Sequence, residues 1–262
     1  MSQLNGYYYP QFPYMVAVYS DSLICGGVLI KPNIVLTAAH CVKDAKNPPK
    51  KVYAGVIDLN DPEFFYATQS KRIDAIYAHA KYQSNENETY PINDIALLKL
   101  ESSFKLGFAV NVLELPNKED DIHNQIAIFS GYGWDTVEIT TNSEGKSVRQ
   151  GSPSLFLKYA EVAVDAPSDD YPKTIIRGQM LQIYEGKTGA CVGDDGGPLV
   201  TNENKVIGIL NTFTYECDET SSPSYYTRVS QYLDFIQGVI DGKPIKEETE
   251  FVVVNQDLTN DV

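Results

Sequence analysis

Gly193 to Val200 reads GDDGGPLV. Two carboxylates, Asp194 and Asp195, stand side by side among glycines, and an apolar run follows. Outward from this stretch the chain is a succession of short runs rich in β-branched and aromatic residues. They are YMVAVYS (Tyr14 to Ser20), GGVLI (Gly26 to Ile30), NIVLTAA (Asn33 to Ala39), DIALLKL (Asp94 to Leu100), QIAIFSGYG (Gln125 to Gly133) and KVIGILNTF (Lys205 to Phe213). Gly, Pro, Asn and Asp separate them, so each run is bounded by turn chemistry. Evenly spaced short strands of this kind predict an all-β chain, closed as a sandwich or barrel. One helix is expected near the end, where Val229, Leu233, Ile236 and Ile240 recur at helical spacing. The polar stretch from Asp135 to Pro153 reads as a long exposed loop. The last residues, KEETEFVVVNQDLTNDV, read as an appended acidic tail.

The chain has 262 residues, 43% of them hydrophobic, enough for a sizeable core. Its formal net charge of −14 repels nucleic acid, heparin-like polymers and anionic membranes, so none of these is expected as a partner. No apolar run approaches the length of a membrane span. No signal peptide is visible at Met1, which reads as a mature or a cytosolic chain. The four cysteines are Cys25, Cys41, Cys191 and Cys217. None forms a C-x-x-C pair, so zinc and redox readings are weak. An even count suits two structural disulfides and hence an oxidising compartment.

Three short strings carry the chemistry. LTAAHC places His40 directly before Cys41, NDIALLKL places Asp94 at the head of a strand, and GDDGGPLV follows much later. Singly, a histidine is most often structural and an aspartate before a strand is most often a cap. Together, in this order and at these separations, the strings resemble the trypsin-like and chymotrypsin-like serine proteases, whose last string reads G-D-S-G-G-P. The resemblance covers almost the whole chain up to the final helix. It implies two packed six-stranded antiparallel β-barrels, roughly 14–115 and 120–230, within a single unit 1–242 that ends in a C-terminal helix. Residues 243–262 are then the acidic tail, and the site lies in the cleft between the barrels.

The resemblance also assigns roles. Cys25 and Cys41 match the disulfide that braces the histidine loop, and Cys191 and Cys217 the one that braces the nucleophile loop. Gln182 stands where one cysteine of a further common disulfide would be. His40 and Asp94 match the base and the buried acid that orients it. The nucleophile position is Asp195. A carboxylate has no proton for His40 to accept, is a poor nucleophile toward an amide, and opposes the charge that develops at the oxyanion site. Gly193 keeps the small residue of the oxyanion hole, and Asp194 keeps the acceptor of the family's activation pair. Anchored on Pro13, the matching start is MSQL, Met1 to Leu4, in place of the family's I-V-G-G. Asn211, Thr212 and Phe213 replace the pocket strand S-W-G, Ser224 replaces a second pocket glycine, and Gly189 lies at the pocket base. Together these departures predict an occluded pocket and a degenerate triad of His40, Asp94 and Asp195.

The expected function is therefore that of a catalytically inactive serine protease homologue, not an enzyme. It would be secreted and monomeric and would act by protein binding as a cofactor, decoy or inhibitor in a proteolytic or immune cascade. The alternatives are a residually active serine-type endopeptidase and a storage or structural protein. No cofactor and no metal site is expected. His79 and His123 read as surface residues, and Asp58, Asp61 and Glu63 as solvated acids near a loop that binds calcium in some relatives. Asn87 heads a glycosylation sequon, NET. The 18 tyrosines serve β-structure or a partner surface.

Overall fold

The computed structural model describes residues 2–4, 7–9, 11–20, 24–43, 47–59, 66–84, 89–120, 122–134, 136–141, 147–152, 154, 156–181, 189–213 and 223–254. A short hairpin opens the chain, β1 (Ser2–Leu4) against β2 (Tyr7–Tyr9). The first barrel follows: β3 (Met15–Tyr19), β4 (Ile24–Lys31), β5 (Ile34–Thr37), β6 (Lys51–Ala54), β7 (Gln69–His79) and β8 (Ala96–Leu100). They pair antiparallel in the order β7-β6-β3-β4-β5-β8, and β8 closes back on β7. Inward positions are Val, Leu and Ile: Val16, Leu29, Leu36, Val52, Ile73 and Leu97 are completely buried. Each contributes about 1.5–3 kcal/mol relative to an exposed side chain. The β-branched residues among them also fit the pleated surface.

The second barrel begins with β9 (Ile126–Gly131). Next comes a hairpin, β10 (Thr136–Thr141) against β11 (Ser147–Ser152), over most of the stretch that the sequence presents as an exposed loop. The loop expectation fails because T-V-E-I-T-T alternates apolar and polar residues at the strand period, a signal masked by the polar composition. The barrel continues with β12 (Lys158–Val164), β13 (Ile175–Met180), β14 (Pro198–Val200), β15 (Val206–Phe213) and β16 (Ser224–Arg228). Its closed order is β12-β13-β16-β15-β14-β9, antiparallel throughout. The chain thus forms the two six-stranded barrels that its motifs imply.

A 3-10 turn over Val229–Gln231 leads into the helix α1 (Leu233–Ile240). Phe235, Ile236 and Val239 are buried in the same apolar cluster as the first barrel, so the helix ties the two halves together. The expected tail is more ordered than its acidity suggests. Thr249–Val253 forms β17, paired antiparallel with β7 from Thr249 opposite His79 to Val253 opposite Ala75. Val252 and Val253 favour a strand, and β6 pairs β7 only over Gln69–Arg72, which leaves the rest of that edge open for β17. No helix among the described residues is long and apolar enough to cross a membrane.

Candidate functional site

The seam between the barrels is built on close backbone approach. The Gly26 N–H on β4 donates to the Asp195 carbonyl at 2.7 Å, while on the other side the Gly196 N–H donates to the Leu210 carbonyl on β15 at 3.0 Å. The turn through Asp195 is therefore clamped by one strand of each barrel. Gly196 has φ 77°, and a Cβ there would lie 2.4 Å from Thr37 Oγ1 and 2.6 Å from the Gly26 carbonyl oxygen. Only glycine satisfies both demands. Gly193, at φ 95°, likewise takes a conformation that side chains rarely adopt.

His40 follows β5, and the disulfide between Cys25 on β4 and Cys41 braces its loop. Asp94 is fully buried ahead of β8. One carboxylate oxygen, Oδ1, accepts the His40 backbone N–H at 2.8 Å, and Oδ2 accepts the ring Nδ1–H at 2.6 Å. The preceding residue, Asn93, has φ 55°, which asparagine tolerates better than most, and its Oδ1 accepts the Tyr232 hydroxyl at 3.1 Å. Behind Asp94 the Thr227 hydroxyl donates to its backbone carbonyl at 2.9 Å. Asn211 Nδ2 donates in turn to Thr227 Oγ1 and to the Pro91 carbonyl, each at 3.0 Å. The amide of Asn211 is thus part of the support beneath Asp94. A threonine in a strand carries no sequence signal of such a role until the strand is placed behind Asp94.

Opposite the ring, His40 Nε2 stands 3.6 Å from Asp195 Oδ1, with side chains 24% and 20% exposed. That separation is an ion-pair distance and is longer than an ordinary N–H···O hydrogen bond. Burial, the largest single influence, would lower the imidazole pKa, but the Asp94 and Asp195 carboxylates together outweigh it, so His40 titrates well above its ordinary value. The three residues form an alternating charge cluster in which the ring has no hydroxyl to deprotonate.

Asp194 turns the other way, into the second barrel. Its carboxylate accepts the Gly133 N–H at 2.7 Å and the Cys191 N–H at 2.9 Å. Burial nonetheless pushes its carboxyl up to about 6, because two backbone donors only partly replace water and Asp195 lies beside it. Cys191 is disulfide-bonded. Its expected partner, Cys217, lies outside the described residues, as do Asn87, Asp61, Glu63, Gln182 and Met1. Gly189 is half-buried. Ser224 on β16 is 3% exposed, and its backbone pairs with that of Phe213, whose side chain is outside the described set.

Two other expectations change. His79 is not a surface residue: it is 5% exposed, packs edge-on to Tyr232 and against Phe235, and its Nδ1 accepts the Lys81 N–H. Burial, with Lys81 and Lys43 nearby, pushes its pKa down to about 4. It fills the junction of β7 with α1, which its lone place in a β pattern did not reveal. His123 is half-buried, and its Nδ1–H donates to the Asp165 carbonyl at 2.9 Å. Asp58 sits in an isolated bridge to Phe156.

Known proteins place this geometry. Glandular kallikrein of Sus scrofa is 30% identical over 88% of this chain and 92% of its own length. Granzyme M of Rattus norvegicus is 32% identical over 87% and 84%. The structure of human heparin binding protein superposes with a TM-score of 0.70 at 26% identity, covering 90% of this chain and 94% of that one. Kallikrein and granzyme are names of serine proteases, and they overturn the expectation that the chain is no enzyme: it stands in an enzymatic family, and inactivity is not a property these relatives support. Residues 5–236 match the family Trypsin, and the chain belongs to the trypsin-like serine protease family.

Proposed function

We propose that this member of the family acts outside the cell by holding a protein or peptide ligand in the cleft between its barrels. The observation that carries the reading is Asp195. Its carboxylate faces His40 at 3.6 Å, so a ligand meets a charge where the family's string places a serine. Around it, His40 is held by Asp94, and Gly193 keeps its special backbone angle. The Cys25–Cys41 disulfide supports an oxidising, extracellular setting. The scaffold is compatible with such use, since a protein named for binding heparin shares it. Heparin itself is a poor fit for a chain of net charge −14, so the ligand class is a protein surface of neutral or positive charge. A place as cofactor, decoy or inhibitor in a proteolytic cascade fits this chemistry.

A second reading, residual serine-type endopeptidase activity, is favoured by the kallikrein and granzyme relatives and by the intact Asp94–His40 pair. One pair of measurements separates the two. The full chain, disulfides intact, is offered a broad peptide library and, separately, extracellular fluid from its source. A stable partner that is lost on Asp195→Arg supports ligand holding. Peptide turnover that vanishes on His40→Ala supports the second reading and overturns the first.

A further inference from the structure

We propose that the cleft binds a transition-metal dication of the zinc type between His40 Nε2 and the Asp195 carboxylate. Nε2 and Oδ1 stand 3.6 Å apart, too far for a good hydrogen bond. The gap suits an intervening ion: with metal–nitrogen and metal–oxygen bonds of about 2.1 Å, a 3.6 Å span corresponds to roughly 120° at the metal. The ring is also oriented for the task. A metal-ligating imidazole commonly donates its other N–H to a carboxylate, which fixes the tautomer and raises ligand basicity. His40 does this through Nδ1–H to Asp94 Oδ2 at 2.6 Å. Asp94 cannot swing away, because its other oxygen holds the His40 backbone N–H at 2.8 Å. Nε2 therefore faces Asp195, and a bound ion takes the place of the Nε2 proton, which is released to water.

Charge and access agree with geometry. With a neutral ring, Asp94 and Asp195 bring two negative charges that a dication neutralises. The partial exposure of His40 and Asp195 leaves room for an ion that keeps waters in its remaining positions. Imidazole with carboxylate suits zinc, whereas magnesium prefers oxygen alone. Cys41 Sγ lies 3.7 Å from Nε2, and Cys25, His40 and Cys41 together have the spacing of a metal cluster. Both sulfurs are tied up in the disulfide, so they are not ligands while it is intact.

The test is a titration of zinc chloride into the full chain, without reductant, following the ring signals of the three histidines by NMR and reversing with EDTA. The expected result is a saturable shift confined to His40, absent with magnesium at the same concentration. Asp195→Asn, nearly isosteric and partly exposed, should weaken binding at least about tenfold while leaving the metal-free melting temperature nearly unchanged. Asp94→Asn, a positioning change, should weaken it by about 10–100-fold. The proposal is overturned if His40 does not respond to millimolar zinc, if His123 responds in its place, if magnesium has the same effect, or if Asp195→Asn binds zinc as well as the unmodified chain.

Discussion

Asp194 makes stability depend on pH in a way that isolates one buried group. Its carboxyl titrates at about 6 in the folded chain against 3.8 for an ordinary aspartate. The difference of roughly two units corresponds to about 3 kcal/mol between the two protonation states. The folded pKa is raised, so the stabilising contribution is fully present below the unfolded value. It is lost as pH rises through about 6. At neutral pH the fold carries a buried carboxylate that accepts, among the described residues, the Gly133 and Cys191 N–H groups, with the Lys158 charge as a further favourable influence. Asp194→Asn removes the titration. It also sacrifices one of those two hydrogen bonds, since an amide has a single acceptor oxygen, but that cost does not vary with pH. The measurement is urea unfolding of both chains between pH 4 and pH 7, disulfides intact. The unmodified chain should gain up to about 3 kcal/mol relative to the variant on going from the upper to the lower pH. A difference between the two chains that is flat across this range would refute the reasoning. So would a carbon-13 titration that places the Asp194 carboxyl in the ordinary aspartate range.

His40 should remain protonated at mildly acidic to neutral pH in an NMR titration of the metal-free chain. Its contribution to stability is then present below the ordinary histidine value and fades as pH rises through the raised one. Asp94→Asn should lower that titration point; an unchanged value would exclude Asp94 as the main cause. Replacing Cys25 and Cys41 with serine opens a loop of sequence separation 16 and should cost about 3 kcal/mol in chemical denaturation. Leu97→Ala, at a completely buried position on β8, should cost about 2–5 kcal/mol by the same assay. Asp195→Ser gives His40 a hydroxyl proton to accept and should raise fluorophosphonate labelling above that of the unmodified chain; equal labelling would mean that the surrounding loops, not the nucleophile, set reactivity.

The strands around GGVLI, NIVLTAA and DIALLKL were legible because a barrel core needs continuous apolar runs, and those runs are bounded by turn residues. His40, Asp94 and Asp195 were legible as a set because each sits in a short string with fixed neighbours. The hairpin over Thr136–Thr141 and Ser147–Ser152 was not, since its alternation is carried by few apolar residues in a polar stretch. His79 was misread for a related reason: its burial comes from Tyr232 and Phe235, more than 150 residues later, and no local pattern announces them. Thr227 and Asn211 support Asp94 through side-chain hydrogen bonds between strands distant in sequence. Such contacts follow from topology rather than from composition.

The pairing of β17 with β7 gives the molecule a mechanical asymmetry. Tension applied beyond residue 254 meets the Val253–Ala75 pair first and then the others one by one, back to Thr249 and His79. The strand can be peeled from its C-terminal end pair by pair, without opening the closed hydrogen-bonded order of either barrel. Four of its five side chains, Glu250 to Val253, are exposed, so little apolar packing resists the peeling. We predict that a chain held by its two ends in an optical trap gives a short, low-force extension step from this strand before either barrel ruptures. A trace in which the first event already has the length of a barrel would show that β17 is as firmly seated as the strands it borders.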